Sequence, residues 1–228
     1  MTAEDTFTIL MVAKAPQPGL AKTRLCPPLT QDQAAAVAAA ALLDRLATIR
    51  QAVLGQLERI VVSWEGEAAE SIAPNAIGRA LDGCLVVPQR GDSFAERLVH
   101  AHEDAAEARP GNIVVQVGMD TPHLSAEQLM RAARYVTVKG NQVVLGPATD
   151  GGWWLLGLSS PLFAEALRDV SMSTAKTGLD TLSSFERRGQ RVTVIEAMQD
   201  VDTWEDALSV AAFTPGSRFA ASIEAVRP

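Results

Sequence analysis

The segment that most constrains the fold is an apolar stretch, Phe7 to Ala13, that continues directly into a loop ending at Leu25. The stretch is typical of a buried strand, and the loop contains three cations, two prolines and a glycine. The prolines fix backbone angles, and Gly19 permits a conformation or close approach that a side chain would block. Such loops bind phosphates at the carboxyl ends of strands in α/β proteins. The segment therefore indicates a nucleotide enzyme, although a solvated loop with incidental lysines has a similar composition.

The loop matches neither of two common phosphate-binding fingerprints. A Walker A loop needs a second glycine before Lys22, and the chain lacks it. No G-x-G-x-x-G sequence lies near the first strand either. The sequence therefore disfavours both a P-loop NTPase and a dinucleotide-binding Rossmann domain.

The net charge of −7 at pH 7 argues against a surface that coats nucleic acid, because such a surface would be basic. The local concentration of cations in the first loop suits a small anionic ligand instead. No apolar run is long enough to span a bilayer, and the acidic N-terminus does not resemble a signal peptide. We therefore expect a cytoplasmic protein without a membrane span or a nucleic-acid partner. In that compartment Cys26 and Cys84 are expected to be free thiols.

Strand-like segments alternate with helical ones, which predicts an α/β fold with a mostly parallel central sheet covered by helices on both faces. Thr30 to Gln33 forms a capping-box pattern at the start of a long alanine-rich helix. We interpret residues 1–228 as a single domain in which 215–228 is either a loosely attached helix or a tail. The predicted strands are 7–13, 59–64, 84–87, 112–117, 143–145, 153–158 and 191–195. The predicted helices are 30–54, 92–108, 125 to before Gly140, 174–188 and one from Thr203, with a loop or turn at 78–83 and a helix stop at Pro110-Gly111.

Two carboxylate motifs follow predicted strands and are candidates for holding a divalent cation. Asp120 lies just past the strand 112–117, and Asp202 follows the strand 191–195. Mg²⁺ prefers oxygen ligands and often uses only one or two carboxylates together with substrate phosphates. Both positions also suit a structural role, because aspartate is favoured in turns and at helix N-caps.

A glycine-rich loop from Gly146 to Gly152 carries Asp150. Its glycines let the backbone approach a ligand, and Asp150 could accept hydrogen bonds from hydroxyl groups or contact the metal. The segment Gln89 to Asp92, together with Arg97, is a further candidate contact region or only a solvated helix start. These residues widen the candidate site beyond the first loop.

In chain order the motifs are Lys14-x-Pro16-x-Pro18-Gly19-x-x-Lys22-Thr23-Arg24-Leu25, Gly118-x-Asp120-x-Pro122, Gly146-Pro147-x-x-Asp150-Gly151-Gly152 and Asp200-x-Asp202-Thr203. The series resembles the bacterial GT-A-fold glycosyltransferase-like family associated with arsenosugar biosynthesis, from about residue 8 to 208. That family is similar to the phospholactate guanylyltransferases and the molybdenum-cofactor guanylyltransferases. The resemblance implies a GT-A-like, nucleotide-diphospho-sugar transferase fold with the nucleotide over the first strand's loop.

The resemblance also implies which residues form the site. Asp120 and Asp202 would bind Mg²⁺ or Mn²⁺, and Asp150 with Gly151 and Gly152 would face the acceptor or second substrate. The sequence departs from many GT-A glycosyltransferases, which carry two aspartates separated by one residue where this chain has Asp120-Thr121-Pro122. The residues placed at the nucleotide are Lys14, Pro18, Gly19, Lys22, Thr23 and Arg24.

Together these features predict a Mg²⁺-dependent transferase with a nucleotide substrate and a small-molecule acceptor. Two reactions are equally compatible: nucleotidyl transfer from an NTP to a phosphorylated acceptor, and glycosyl transfer from an NDP-sugar. In both, Lys22 and Arg24 would neutralise developing charge, and in the second Asp150 is the candidate base or sugar-hydroxyl contact. A catalytically silent nucleotide-binding or regulatory module is the remaining alternative. The base, the acceptor and the oligomeric state stay open.

Overall fold

The computed structural model describes residues 7–108, 113–137 and 140–227. Within these ranges, strands and helices alternate along much of the chain. The strands are β1 (Thr8–Lys14), β2 (Ile60–Glu65), β3 (Leu85–Pro88), β4 (Val114–Val117), β5 (Val143–Pro147), β6 (Trp153–Leu158) and β7 (Val192–Val194). The helices are α1 (Gln31–Ala52), α2 (Pro74–Leu81), α3 (Phe94–Ala108), α4 (Ala126–Thr137), α5 (Thr177–Arg187), α6 (Trp204–Phe213) and α7 (Arg218–Val226), with a 3₁₀ helix at Pro161–Asp169.

The strands form one sheet in the order β3-β2-β1-β4-β6-β5-β7. β1 is parallel to both of its neighbours, so that Met11 lies opposite Val62 on one side and Val117 on the other. The β2–β3 and β5–β7 pairs are parallel as well, whereas β6 is antiparallel to its neighbours β4 and β5. The sheet is therefore mostly parallel, as the sequence predicts. Because β1 and β4 are adjacent and parallel, the loops that follow them leave the same edge of the sheet.

Helices cover both faces of the sheet, which confirms the predicted architecture. Alternate residues of a strand point to opposite faces. Ile9 and Met11 accordingly share a buried cluster with Leu42 of α1, whereas Leu10 packs with Ala101 of α3. Helices α1, α2 and α4 cover the first face, and α3, α5 and the 3₁₀ helix cover the second. Burial on both sides explains why inner strands such as β1 and β6 are apolar runs without alternation, whereas the edge strand β3 is partly exposed.

The start of α1 forms the predicted capping box. The Thr30 side chain accepts a hydrogen bond from the Gln33 backbone N–H, and the Gln33 side chain accepts one from the Thr30 N–H. At 22 residues α1 is the longest of the described helices, and it includes two buried or half-buried arginines, Arg45 and Arg50. None of the helices within the described ranges combines the length and the apolar character that a membrane span requires.

The turn predicted at 78–83 is wrong over most of its length, because α2 occupies Pro74–Leu81. Pro74 stands in the first turn, where a helix does not use its N–H group. Ile77 is fully buried and anchors the helix to the core, and Gly78 lies in the helix interior. The prediction gave Gly78 more weight than the apolar residue beside it. The helix stop predicted at Pro110-Gly111 lies outside the described residues.

The C-terminal helix α7 is packed against α1, so loose attachment is wrong for Arg218–Val226. Phe219 and Ile223 lie one helical turn apart and are both buried in a cluster shared with α1. Asp44 of α1 accepts hydrogen bonds from the Phe219 backbone N–H at 2.8 Å and from the Arg218 side chain at 3.2 Å. Cys26 borders the same cluster, and the chain's two cysteines are free thiols, as predicted.

The buried histidine of α3 makes stability depend on pH. His102 is fully buried, and its Nε2 lies 2.8 Å from Gln116 Oε1. Burial lowers its pKa to about 4, and the Gln116 hydrogen bond offsets only part of this effect. Because the unfolded chain takes up this proton near pH 6.5, the free energy of unfolding should fall by about 3 kcal/mol between pH 6.5 and pH 4.

Urea unfolding of the wild type and of His102→Gln across this pH range tests the prediction. The glutamine keeps a donor for Gln116 but does not titrate, so the variant should lose that part of the pH dependence. Parallel pH profiles for the two proteins would contradict it.

Candidate active site

The loop after β1 is anchored at both of its sides. The Ala15 backbone N–H donates to Glu65 O at 2.8 Å, and Lys14 Nζ donates to Leu20 O at 2.7 Å across the loop. Gly19 has a φ of +76°, in the left-handed region that favours glycine. The predicted phosphate-binding segment is therefore a shaped turn at the carboxyl end of a central strand.

Lys22 follows this turn, and its ammonium group contacts carboxylates from two other loops. Its Nζ lies 2.5 Å from Asp120 Oδ1 and 3.4 Å from Asp202 Oδ1, and it also donates to Val201 O. Only 11% of its side chain is exposed. Burial alone would lower the pKa of Lys22, but attraction to Asp120, Asp202 and Asp200 raises it above the ordinary value. Lys22 is therefore a fixed ammonium ion between the two predicted metal ligands.

Neither predicted metal ligand caps the helix that follows it. Thr203, not Asp202, caps α6, since its Oγ1 accepts a hydrogen bond from the Asp206 N–H at 3.2 Å. Ser125 accepts the equivalent bond from Gln128 at the start of α4, so Asp120 does not cap that helix. The carboxylates of Asp120 and Asp202 face the cations of the first loop instead.

Arg24 reaches the same group from the surface. Its Nη1 lies 2.7 Å from Asp202 Oδ2, while 70% of its side chain is exposed. Exposed ion pairs of this kind contribute little stability. Arg24 can therefore exchange this carboxylate for a ligand phosphate at low cost.

A cluster of three carboxylates lies beside Lys22. Oxygen atoms of Asp150, Asp200 and Asp202 lie within 4.8 Å of one another. Burial, together with the charges of Asp150 and Asp202, raises the pKa of Asp200 to about 6. Closely spaced carboxylate oxygens are the donor set that Mg²⁺ and Mn²⁺ prefer, so the residues present fit such an ion. Asp120 does not belong to this cluster, but it lies next to the cluster because Asp120 and Asp202 both contact Lys22.

The glycine-rich loop brings Asp150 to this cluster. Asp150 Oδ1 accepts a hydrogen bond from the Gly152 N–H at 2.7 Å, and Gly178 of α5 donates to Gly151 O at 2.7 Å. Gly151 has a φ of +92°, and a Cβ atom there would lie 2.1 Å from Ala175 O. A glycine is therefore required at 151 for close packing against the start of α5, which fixes the loop that carries Asp150.

Two adjoining clefts open around these residues. The loop-side cleft has a volume of about 420 Å³ and is lined by the first loop together with Glu65, Gln89 and Arg97. The glycine-side cleft has a volume of about 580 Å³ and is lined by Asp150, Gly152, Asp200, the two tryptophans of β6 and a group of hydroxyl residues. The residues common to both include Arg24, Phe94, Asp120 and Asp202. The clefts therefore meet at the carboxylates around Lys22.

Most of the sequence-predicted residues line one of these clefts. Lys14, Lys22, Thr23 and Arg24 line the loop-side cleft, whereas Pro18 and Gly19 shape its loop without lining it. Arg97 lines the loop-side cleft, but Arg90 is turned away and pairs with Glu103 and Asp104 of α3. The roles of these residues toward a ligand stay predictions.

Sequence reasoning missed Arg45, which lies beneath the site. This arginine of α1 is 0% exposed, and its Nη2 donates to Thr121 Oγ1. Burial lowers its pKa to about 9, although the carboxylate of Asp120 opposes that shift. A signal was available, since Arg45 interrupts the apolar face that Leu42 and Ile49 form on α1. The pattern gave no indication of which loop would lie above it.

The comparisons with known proteins agree with this fold. The model of the family DUF2064, described as an uncharacterized protein conserved in bacteria, matches residues 46–174. No curated protein matches the sequence. The match places more than half of the chain, from α1 to the turn before α5, within one family.

Solved structures share the fold over nearly the whole chain. A candidate nucleotide-diphospho-sugar transferase from Desulfovibrio desulfuricans G20 has a TM-score of 0.76 and 24% identity, covering 99% of this chain and 95% of its own. The 4-diphosphocytidyl-2C-methyl-D-erythritol synthase of Anaerococcus prevotii has a TM-score of 0.59 and 12% identity, with 93% and 98% covered. A CMP:2-keto-3-deoxy-manno-octonic acid synthetase complexed with CTP has a TM-score of 0.53 and 11% identity, with 91% and 98% covered. At these identities the likeness establishes the nucleotide-diphospho-sugar transferase fold alone.

Proposed function

We propose that this chain, which belongs to the DUF2064 family of bacterial proteins, transfers a glycosyl group from a nucleotide-diphospho-sugar. The reaction would depend on a divalent cation. The nucleoside diphosphate would occupy the loop-side cleft. The sugar and a hydroxylated acceptor would occupy the glycine-side cleft. The fold shared with a candidate nucleotide-diphospho-sugar transferase supports this assignment.

The distribution of charge between the two clefts carries the proposal. Lys14, Lys22, Arg24 and Arg97 all line the loop-side cleft, which suits a diphosphate. Among the described residues, Arg24 is the only cation that lines the glycine-side cleft. That cleft is lined instead by carboxylates, tryptophans and the hydroxyl groups of residues such as Thr174. Such a lining favours an uncharged, hydroxyl-bearing substrate over a phosphorylated one.

The residues of the junction would then act on the leaving group and on the acceptor. The acceptor oxygen attacks the anomeric carbon, the bond from that carbon to the phosphate oxygen breaks, and the nucleoside diphosphate leaves with the electron pair. Lys22 and Arg24 neutralise the charge that develops on it. Asp150, the exposed member of the carboxylate cluster, takes the acceptor proton.

A divalent cation would be held by Asp200 and Asp202, and when bound it would stabilise the charge of the departing diphosphate. The acidic cluster supports this role. So does a manganese complex of a fold neighbour, Rv0371c of Mycobacterium tuberculosis H37Rv, with a TM-score of 0.50 and 20% identity. Asp120 stays a predicted third ligand, in contact with Lys22.

Nucleotidyl transfer is the second candidate, because four cations along the loop-side cleft could also hold a triphosphate. Fold neighbours include a cytidylyltransferase from Leptospira borgpetersenii and a synthetase complexed with CTP. A phosphorylated acceptor would, however, meet the carboxylates of the glycine-side cleft with Arg24 as its one lining cation among the described residues. The glycosyl reaction avoids that repulsion.

Thermal unfolding with a panel of NTPs, NDPs and NDP-sugars, each with and without Mg²⁺, tests the proposal. A ligand at 100 times its Kd should add about 2.7 kcal/mol, which raises the Tm of a chain of this size by roughly 5–10 °C. We expect the largest Mg²⁺-dependent rise from an NDP-sugar, followed by release of its NDP in the presence of polyol acceptors. A larger rise from an NTP would favour nucleotidyl transfer, and binding without turnover would favour a silent module. No Mg²⁺-dependent rise with any nucleotide would contradict both reactions.

A further inference from the structure

Arg45 is a buried charge that the proposed reaction leaves without a role. It lies on the core face of α1 near Leu42, Leu46 and Ile49. Its Nε and Nη1 atoms are buried and have no hydrogen-bond partner within the described ranges. Only Nη2 is bound, to the hydroxyl group of Thr121.

Packing alone gives no reason for an arginine at this position. Unpaired N–H groups that are removed from water cost free energy, and so does the guanidinium charge. Replacing a buried ion with an apolar side chain of similar size is often neutral or stabilising. The neighbouring positions on this face are apolar, so methionine would fit the surroundings of Arg45 at least as well.

The one bond that Arg45 makes leads directly to the junction of the two clefts. Thr121 is buried, and it follows Asp120, whose Oδ1 lies 2.5 Å from Lys22 Nζ. The backbone carbonyl of Asp120 accepts a hydrogen bond from the Val201 N–H at 2.9 Å. Arg45 therefore supports, from below, the turn that connects Lys22 with the segment before Asp202.

We infer that Arg45 is a positioning residue, which through Thr121 holds the Asp120 carboxylate against Lys22 and so fixes the junction at which transfer takes place. The inference rests on the proposed function. It assigns Arg45 no contact with substrate. Its effect on the reaction passes through the Thr121 hydroxyl and the Asp120–Lys22 pair.

Arg45→Met separates this role from a purely structural one. We expect kcat to fall about 10–100-fold, the range found when groups that orient metal-site ligands are removed. The KM for the nucleotide donor should stay unchanged, because Lys14, Arg24 and Arg97 still line the loop-side cleft. The Tm should stay equal or rise, since a buried and incompletely bonded charge has been removed.

Three further variants test the route of the effect. Thr121→Val should lower kcat by a similar factor, and the double variant should be no slower than either single one, since both break the same bond. Arg45→Lys keeps the charge and should recover part of kcat. Arg50→Met is the matched control on the same helix. Arg50 donates to Ala80 O and Asp82 O, away from the clefts, so its loss should lower the Tm without changing kcat.

The outcomes distinguish the inference from the proposed function. Wild-type turnover with an unchanged kcat in Arg45→Met would overturn the inference and leave the function standing. The inference would also be overturned if the Tm dropped and the fall in kcat matched the fall in the folded fraction. Additive losses of kcat in the double variant would overturn it as well. A wild-type protein that neither binds pyrophosphate with Mn²⁺ nor consumes any donor would overturn both.

Discussion

Asp202→Asn is expected to remove most of the turnover and most of the binding of Mn²⁺. Asp202 connects the two cations of the junction with the carboxylate cluster: its oxygens contact Lys22 and Arg24, and it shares the cluster with Asp150. An asparagine keeps the shape but removes the charge and one anionic ligand atom. Because a bound cation contributes several kcal/mol of charge stabilisation, turnover should fall on the order of 10³-fold. Mn²⁺ titration by calorimetry and the rate of NDP release measure the two effects.

The matched control is Asp169→Asn, an exposed aspartate of the 3₁₀ helix whose pairing with Arg188 lies outside both clefts. It loses the same charge from the surface, so its Mn²⁺ affinity and turnover should match those of the wild type. The assignment of Asp202 would be wrong if its variant bound Mn²⁺ like the control. Loss of turnover with intact Mn²⁺ binding would instead mean that Asp202 acts only through its contacts with Lys22 and Arg24.

The sequence predicted those parts of the fold and site that are encoded by neighbouring residues. The alternation of strands and helices, the capping box at Thr30 and the cationic loop before Arg24 are local patterns. The position of Asp120 and Asp150 after strands was sufficient to bring both to one edge of the sheet. These predictions needed no knowledge of which distant residues would be in contact.

The parts that were missed depend on contacts between segments far apart in sequence. The role of Arg45 could not be recognised from the sequence, because its hydrogen-bond acceptor, Thr121, is 76 residues away. Asp200 joins the cluster because Asp150 approaches it from another loop, which no local pattern indicates. The prediction of a loosely attached C-terminal segment was also wrong. The helical spacing of Phe219 and Ile223 is visible in the sequence, but their packing partners on α1 are not. Sequence patterns thus located the loops, and the packing of the loops determined which side chains form the site.

Lys22→Met is expected to raise the affinity for Mn²⁺ while it strongly lowers turnover. In the structure the Lys22 ammonium contacts Asp120 and Asp202, so a divalent ion must compete with it for carboxylate oxygens. Removing a positive charge this close to an ion at a partly buried site should strengthen binding about tenfold. The same change removes a cation that neutralises the leaving diphosphate, so turnover should fall about 10²–10³-fold. Removal of a carboxylate ligand would weaken the binding of the ion, so the opposite sign makes this variant informative.

Calorimetric titration of the nucleotide-free protein with Mn²⁺ isolates the competition, because no phosphate is then present to draw Lys22 away. Lys22→Arg is the control: it preserves the charge beside Asp120, so its Mn²⁺ affinity should stay near that of the wild type although its turnover is impaired. Weaker Mn²⁺ binding in Lys22→Met would show that the lysine organises the carboxylates instead of competing for them. The sign of this one change therefore decides between two roles for Lys22, as an occupant of the cation site and as part of its scaffold.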